Sequence, residues 1–302
     1  MDWEKRLVMP NGKKADYQKV HNGRYYKLTA SPVKHNILSN VAIEGLGYNQ
    51  EITGPLLVFE QGETIMIEVE NQLDKPTALH VHGLSKPEAQ DGVPEIEPTT
   101  PYIQPGESHV YTFQAWQTGT FFYHASDPAH IVQGLLGPLV VLPKQPTVAE
   151  VPYRDYVLVL QQWDIPQENL GEVSPGTYQP KKFDTNPNFF TINGKSFPDT
   201  EELSTKYGRK IRIRFINKSS ASHSMHVHGH DFQVTRVNGF PRYNIFDDTI
   251  NVASGQRIEI EFWANNPGTF PLNGTKTFHQ TNNGSSPGGM ITKLVYKGIS
   301  YK

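Results

Sequence analysis

Apolar residues alternate with polar ones along much of this chain, as in Ile65, Ile67 and Val69, then Ile211, Ile213 and Phe215, then Ile258, Ile260 and Phe262. Successive side chains of a strand point to opposite faces, so each run predicts a half-buried β-strand. No stretch sustains the period of an amphipathic helix. Gly and Pro turns break the runs at short intervals, which predicts an all-β chain of Greek-key sandwiches. Pro143, Pro146 and Pro152 cluster in a polar connector that divides the 302 residues into an N-terminal domain, 1–145, and a C-terminal domain, 146–302. Both spans have an ordinary domain size. The stretch from Ile165 to Asn188, rich in Pro, Gly and Asn, is predicted to be a long surface loop. Trp116, Phe121, Phe122, Tyr123, Phe262, Trp263 and Phe270 surround the turns, and most of them are expected in the core.

The pattern repeats in register. The segment from Gly62 to Gly83 ends in ALHVHG and that from Gly208 to Gly229 ends in SMHVHG, with equal spacing and with Asn71 matched by Asn217. Gly106, Phe113 and Gly119 are matched by Gly255, Phe262 and Gly268 at identical intervals. A tandem duplication is predicted.

The repeat carries candidate chemistry. On a strand His80 and His82 share one face with Val81 turned away, and His226 and His228 do the same around Val227. A lone strand histidine is usually a hydrogen-bonded core or surface residue. Two pairs at matching positions point instead to metal binding, with His124 of GTFFYHASDPAH as a further donor. Counting from Gly268 places Asn273 where His124 stands and Thr275 where Ser126 stands. The chain has no cysteine, so a thiolate-based blue copper site cannot form.

Composition excludes some partners. A formal charge of -2 leaves no basic field for nucleic acid, and no apolar run suits a membrane-spanning helix, so no membrane partner is expected. The start MDWEKRLVMPNGKK lacks the apolar core of a signal peptide. An extracytoplasmic location would require a leader removed ahead of an added Met1; the compartment is otherwise open, since missing disulfides do not identify one.

The ordered series HVHG, DGVP (Asp91 to Pro94), QPGES, GTFFYH, QGLLGPLVVLP, HSMHVHGHDFQV, NPGTF and PGGM resembles the multicopper oxidases, the superfamily of laccases and two-domain cupredoxin proteins. The resemblance covers most of both halves and implies two tandem cupredoxin-like β-sandwich domains with copper as cofactor. It assigns His80 and His226 to a type 2 copper, and His82, His228 and His124 to type 3 positions. The family's HxH after GTF is His124, Ala125, Ser126 here, and its HCH is Asn273, Gly274, Thr275. Three of six type 3 ligands and the type 1 cysteine are therefore replaced, while His223 and His279 fall on the two type 1 histidine positions. A rival register, which needs an insertion, sets His279, Gln280 and Met290 on the first histidine, the cysteine and the axial methionine.

The expected metal site is a type 2-like, or partial type 3, copper site between the cupredoxin domains, held by His80, His82, His124, His226 and His228. Imidazole ligation also suits zinc. His130 could supply a missing ligand with Asp127 or be a polar loop residue, and His223 with His279 is a candidate for a separate pair. His230 is expected to support rather than ligate. Asp91 is the candidate catalytic proton carrier, against a purely turn-forming role for its DG pair; the acid that many relatives carry just after HCH has no counterpart from Lys276 through Asn283.

The implied function is a copper oxidoreductase without a type 1 relay, in which a small-molecule substrate binds at the copper and O2 or another small oxidant accepts electrons. Activity on bulky phenols is expected to be weak. The alternative is a non-enzymatic metal-binding or scaffold protein. If the site-bearing faces turn apart, three head-to-tail contacts would close a homotrimer; with both pairs meeting in one chain, a monomer suffices.

Overall fold

The computed structural model describes residues 3–298. Met1, on which the processed-start expectation falls, and the outermost residues of both expected domains lie outside them. The chain divides into two compact units, one of residues 1–11, 36–42 and 146–302 and the other of 12–35 and 43–145.

The 12–35/43–145 unit is built from two sheets. One runs Leu57–Glu60, Leu136–Leu142, Gly119–Ala125, Leu79–His82, with the first pair parallel and the others antiparallel. The other includes the 23–35 part of Gly23–Leu38, together with Thr64–Asn71 and Ser108–Gln114. Neighbours distant in sequence give each sheet its Greek-key crossovers. The period-2 reading holds for Thr64–Asn71, where Ile65, Ile67 and Val69 are buried and the residues between them are only partly covered. They meet Leu79, Val81, Phe121 and Tyr123 in one apolar core.

The other unit has one sheet that includes Arg154–Trp163, Arg209–Asn217, Arg257–Ala264 and Phe232–Val237, and a second running Leu203–Thr205, Ile291–Tyr296, Thr269–Gly274, His223–Val227, Thr249–Val252. Here the half-buried expectation fails. Ile211, Ile213 and Phe215 face the core, yet Arg212 and Arg214 are buried too. The polar face is covered because Leu7–Val8 pairs with Arg154–Trp163 and the Trp3 ring lies under the Arg212 guanidinium. Burying these cations is tolerated only with partners. Arg214 donates to Asp155 at 2.7 and 2.8 Å and to Glu259 at 2.9 Å, and Arg212 pairs with Glu261.

One α-helix, Pro128–Val132, and three 3-10 turns are the only helices among the described residues, and none is long and apolar enough to cross a membrane. Between Ile165 and Asn188 the only strand is Gly176–Tyr178. Most of the seven aromatic residues are buried as expected, and two are exposed: Trp116, just past the end of Ser108–Gln114, and Trp263, on the outward position of Arg257–Ala264.

Candidate metal centre

Along Leu79–His82, Leu79 and Val81 are buried while His80 and His82 are partly exposed, as strand alternation requires. The neighbouring Gly119–Ala125 strand sets His124 opposite His80 and Phe122 opposite His82. One donor atom from each of His80, His82 and His124 lies within 4.8 Å of the others. The His82 ring stacks on Phe122 with centroids 4.6 Å apart, which limits its rotation.

The tautomers follow from the partners. A carbonyl can only accept, so His80 donates from Nδ1 to the Asp91 carbonyl at 2.7 Å, and His124 donates from Nδ1 to the Ala125 carbonyl at 2.7 Å. In the neutral rings Nε2 then carries the lone pair, the form in which imidazole binds a metal. The Asp91 carbonyl is held there by a close approach of backbone. Gly92 has φ +82, and a Cβ on it would lie 1.8 Å from the Leu79 carbonyl oxygen, so only glycine fits the DG turn against the histidine strand.

In the other unit, His223–Val227 alternates likewise, with His223, Met225 and Val227 buried and His226 partly exposed. His226 repeats the His80 arrangement, donating from Nδ1 to the Asp248 carbonyl at 2.7 Å. The register pairs His226 with Asn273 and Met225 with Gly274, as the gapless alignment has it. Asn273 donates from Nδ2 to the Gly274 carbonyl and presents Oδ1 to His228 Nε2 at 2.9 Å. His228 must donate in that bond, so its Nε2 is protonated where a ligand would need a lone pair.

On the core face of the same strand, His223 and His279 meet with Nδ1 atoms 3.1 Å apart. Ser219 Oγ, which donates to the Leu160 carbonyl at 3.4 Å, accepts from His223 Nε2 at 3.0 Å. His279 stacks on Phe190. Burial pushes His223 down to about 3, helped by His279 and Lys276, and His279 down to about 4 for the same reason, so both rings are neutral at pH 7.

Two multicopper oxidase family models match the chain, one over residues 29–146 and the other over 171–285. The chain belongs to the multicopper oxidase family. Among relatives of known identity it is 27% identical over 286 residues to multicopper oxidase MmcO of Mycobacterium tuberculosis, covering 85% of this chain and 55% of that protein. It is 30% identical over 278 residues to laccase-3 of Thanatephorus cucumeris, covering 82% of this chain and 48% of the laccase. The chain thus spans about half the length of these relatives. Among solved structures, the blue copper oxidase from Nitrosomonas europaea superposes with a TM-score of 0.80 at 29% identity, covering 90% of this chain and 86% of that one. The multicopper oxidase mgLAC superposes with 0.81 at 31% identity, covering 92% and 87%. Each unit is a cupredoxin-like sandwich of this family, and the family's cofactor is copper. The three-imidazole donor set of His80, His82 and His124 fits copper, since intermediate-softness nitrogen donors with oriented lone pairs are what Cu(II) prefers. A blue site does not fit, because the chain has no thiolate.

Within this family member the other expected residues fall into place differently. Asp91 Oδ1 lies 3.5 Å from His80 Nδ1 and 2.6 Å from Lys86 Nζ. Burial alone would raise its carboxyl, but hydrogen bonds from Lys86 and Glu97, with the charges of His80 and Lys86, hold it below the usual range. Glu97 moves the other way, raised by desolvation and by the bond to Asp91. Sequence reasoning missed Lys86 and Glu97. The Lys86 side chain is buried and also donates to the Val81 carbonyl at 2.8 Å, tying the loop to the histidine strand. A lysine within four residues of HVHG and an acid six after Asp91 were the available signals.

His130 is buried in the Pro128–Val132 helix, whose N-terminus Asp127 caps by accepting from Ala129 N. Its Nε2 lies 3.8 Å from Asp127 Oδ2, and it is not among the clustered donors. His230 uses both ring nitrogens, donating from Nδ1 to the His228 carbonyl at 2.9 Å and accepting at Nε2 from Tyr296 OH at 2.6 Å. It therefore holds the turn that carries His228, just past the His223–Val227 strand.

Proposed function

We propose that this multicopper oxidase family member binds copper through His80, His82 and His124, with His226 and His228 as complementary donors, and acts as a copper-dependent oxidoreductase without a blue electron-entry site. The observation that carries the reading is the convergence of three histidines in which two Nδ1–H groups are already spent on backbone carbonyls. Bound copper would supply one-electron redox chemistry. The chain's own contribution is to hold the imidazoles in their metal-binding tautomer before any ion arrives, which lowers the ordering cost of binding. The ionised Asp91 and the raised Glu97 form a hydrogen-bonded acid pair beside His80, placed to pass a proton toward a bound oxidant.

Without a thiolate relay, electrons must come from a small-molecule substrate bound at the copper itself, with O2 as acceptor, and rapid oxidation of bulky phenols is not expected. Homotrimeric assembly, with one copy's His226 and His228 serving another's set, is proposed on the basis of ligand count and is checked by the mass of the copper-loaded protein in solution. One observation favours the non-enzymatic alternative. The Asn273 amide occupies a ligand position and holds the His228 ring in the tautomer with its proton on Nε2, as a scaffold freed from catalysis could allow.

Copper stoichiometry and electron paramagnetic resonance on the purified protein test the proposal against a His80→Ala, His226→Ala variant. One or two coppers per chain with a nitrogen-ligated type 2 spectrum, no blue absorption, and loss of that signal in the variant support it. Copper uptake that the variant leaves intact would sink the site, and bound copper without turnover of any small reductant would leave the non-enzymatic reading in its place.

A further inference from the structure

The His223 and His279 pair lies on the opposite face of its strand from His226, buried in the core, and the proposed centre does not use it. Three features of its surroundings bear on what it can bind. The first is the distance between the two Nδ1 atoms, 3.1 Å. With metal–nitrogen bonds of about 2.0 Å, this separation subtends roughly 100° at a shared ion. A linear two-coordinate ion would need the nitrogens roughly 4 Å apart, so the geometry calls for a bent site with a further ligand.

The second is the identity of the nearest candidate ligand. Gly274 stands across the sheet from Met225, and a Cβ built on it would lie 3.4 Å from His279 Cβ and 3.7 Å from Met290 Cβ. Gly274, His279 and Met290 therefore converge on one small space. Their backbones are tied together as well, since Gly274 N donates to the Met290 carbonyl and Met290 N to the His279 carbonyl. Met290 is fully buried. The third is charge. Lys276 is the cation felt by both rings, and His223, His279 and Met290 are neutral donors. A buried ion's solvation cost rises with the square of its charge, so a monocation is far less costly to hold here than a dication.

We infer that His223, His279 and Met290 form a second metal site, specific for Cu(I), in which two Nδ1 atoms and a thioether bind a colourless monovalent copper. Soft thioether ligation selects Cu(I) over zinc and Cu(II). Ser219 holds the His223 ring from its Nε2 side and Phe190 holds the face of His279, so both rings are oriented before the ion enters. Replacement of the family's thiolate by Gly274 thus yields a site of different metal preference rather than an empty pocket wall. No electron transfer is required for the ion to bind; His223 already carries its one proton on Nε2, so the proton between the two Nδ1 atoms belongs to His279 and shifts to His279 Nε2 as copper enters, which leaves both ligands neutral.

The test is an anaerobic competition for Cu(I) against a chromogenic Cu(I) chelator, performed on the full chain carrying His80→Ala, His82→Ala and His124→Ala so that the three-histidine cluster cannot contribute. One Cu(I) per chain is expected, with a sulfur scatterer at about 2.3 Å in X-ray absorption. Met290→Leu, close in volume and so expected to fold, should weaken binding at least tenfold and remove the sulfur signal. Uptake unchanged by Met290→Leu and by His223→Gln, or a preference for zinc over Cu(I), would overturn the inference. A gain of function provides an independent arm. Gly274→Cys has van der Waals room for its Cβ, and with Cu(II) it should develop intense visible absorption from a thiolate–copper bond. A folded Gly274→Cys protein that stays colourless with Cu(II) would show that these side chains do not share a metal. Failure of the His80 cluster to bind copper leaves these outcomes unaffected.

Discussion

His80, His82 and His124 in one unit and His226, His228 and Asn273 in the other occupy corresponding places on two cupredoxin-like sandwiches, and they differ at a single ligand position. Strand register is the same, with His80 opposite His124 and His226 opposite Asn273. The anchor is the same too, an Nδ1–H donated to a loop carbonyl at 2.7 Å. What changes is the state of the second histidine of the pair. An amide oxygen in place of the third imidazole draws a proton onto His228 Nε2. The scaffold that aims a histidine pair is thus independent of whether the pair has a full ligand set.

The strongest way to break this comparison is to exchange the differing residue. His124→Asn should lower copper affinity at the His80 cluster by at least about a thousandfold, beyond the hundredfold typical of losing a supporting partner. Asn273→His should raise bound copper by one per chain. Equilibrium dialysis reads both. If Asn273→His adds no copper, the second pair lacks more than a ligand.

The scaffold can be tested separately from the ligands. Asn71 donates from Nδ2 to the Lys75 and Ile103 carbonyls and accepts from Leu73 N, while Asn217 donates to the Ala221 and Val252 carbonyls and accepts from Ser219 N. Each asparagine closes the turn that leads into its histidine strand. Replacing either with alanine leaves three buried backbone groups unsatisfied, and a loss of about 3 kcal/mol in denaturant unfolding is expected for each. Unequal losses would show that the two units do not share this device.

These asparagines also show why so much was legible in the sequence. Their spacing from the HVHG and SMHVHG motifs is equal, and local hydrogen bonding depends on local spacing. Strand alternation likewise placed His80 and His82 on one face and turned Val81 into the core. The misses share a cause, which is contact between residues remote in sequence. The burial of Arg212 and Arg214 depends on Trp3 and Asp155, and no pattern within 209–217 reveals that cover. Lys86 and Glu97 became parts of the site only through the fold of the Asp91 loop. The pairing of His223 with His279, 56 residues apart, was by contrast named as a candidate from their places in the repeat, and the structure brings the two rings together.

The Asp91 loop allows a finer cut. Gly92→Ala forces a Cβ toward the Leu79 carbonyl and strains a φ of +82, so the Asp91 carbonyl must move off His80. Copper affinity at the His80 cluster should fall at least about tenfold, with the His223 pair unaffected, as measured by copper titration of this variant. An unchanged affinity would mean that the His80 tautomer does not depend on this carbonyl.

The smallest expected difference between the units is their response to acid in the metal-free protein. His223 is held down to about 3 and His279 to about 4 by burial, whereas an unfolded histidine titrates near 6.5. Below about pH 6.5 the unfolded chain therefore binds more protons than the folded one. The stability these neutral rings contribute is complete above that pH and is progressively lost as pH falls toward their folded values. At pH 5.5 the loss is on the order of 1 kcal/mol for His223. The unit of residues 12–35 and 43–145 also has acid-sensitive histidines, since burial lowers His109 and, against the opposing charge of Asp127, His130. The unit with the 146–302 segment, carrying the deeper pair, should be the first to lose hydrogen-exchange protection between pH 7 and 5.5, and His223→Gln should flatten that dependence. Equal acid sensitivity in the two units, or a slope that survives the substitution, would place the acid response in the carboxylates instead.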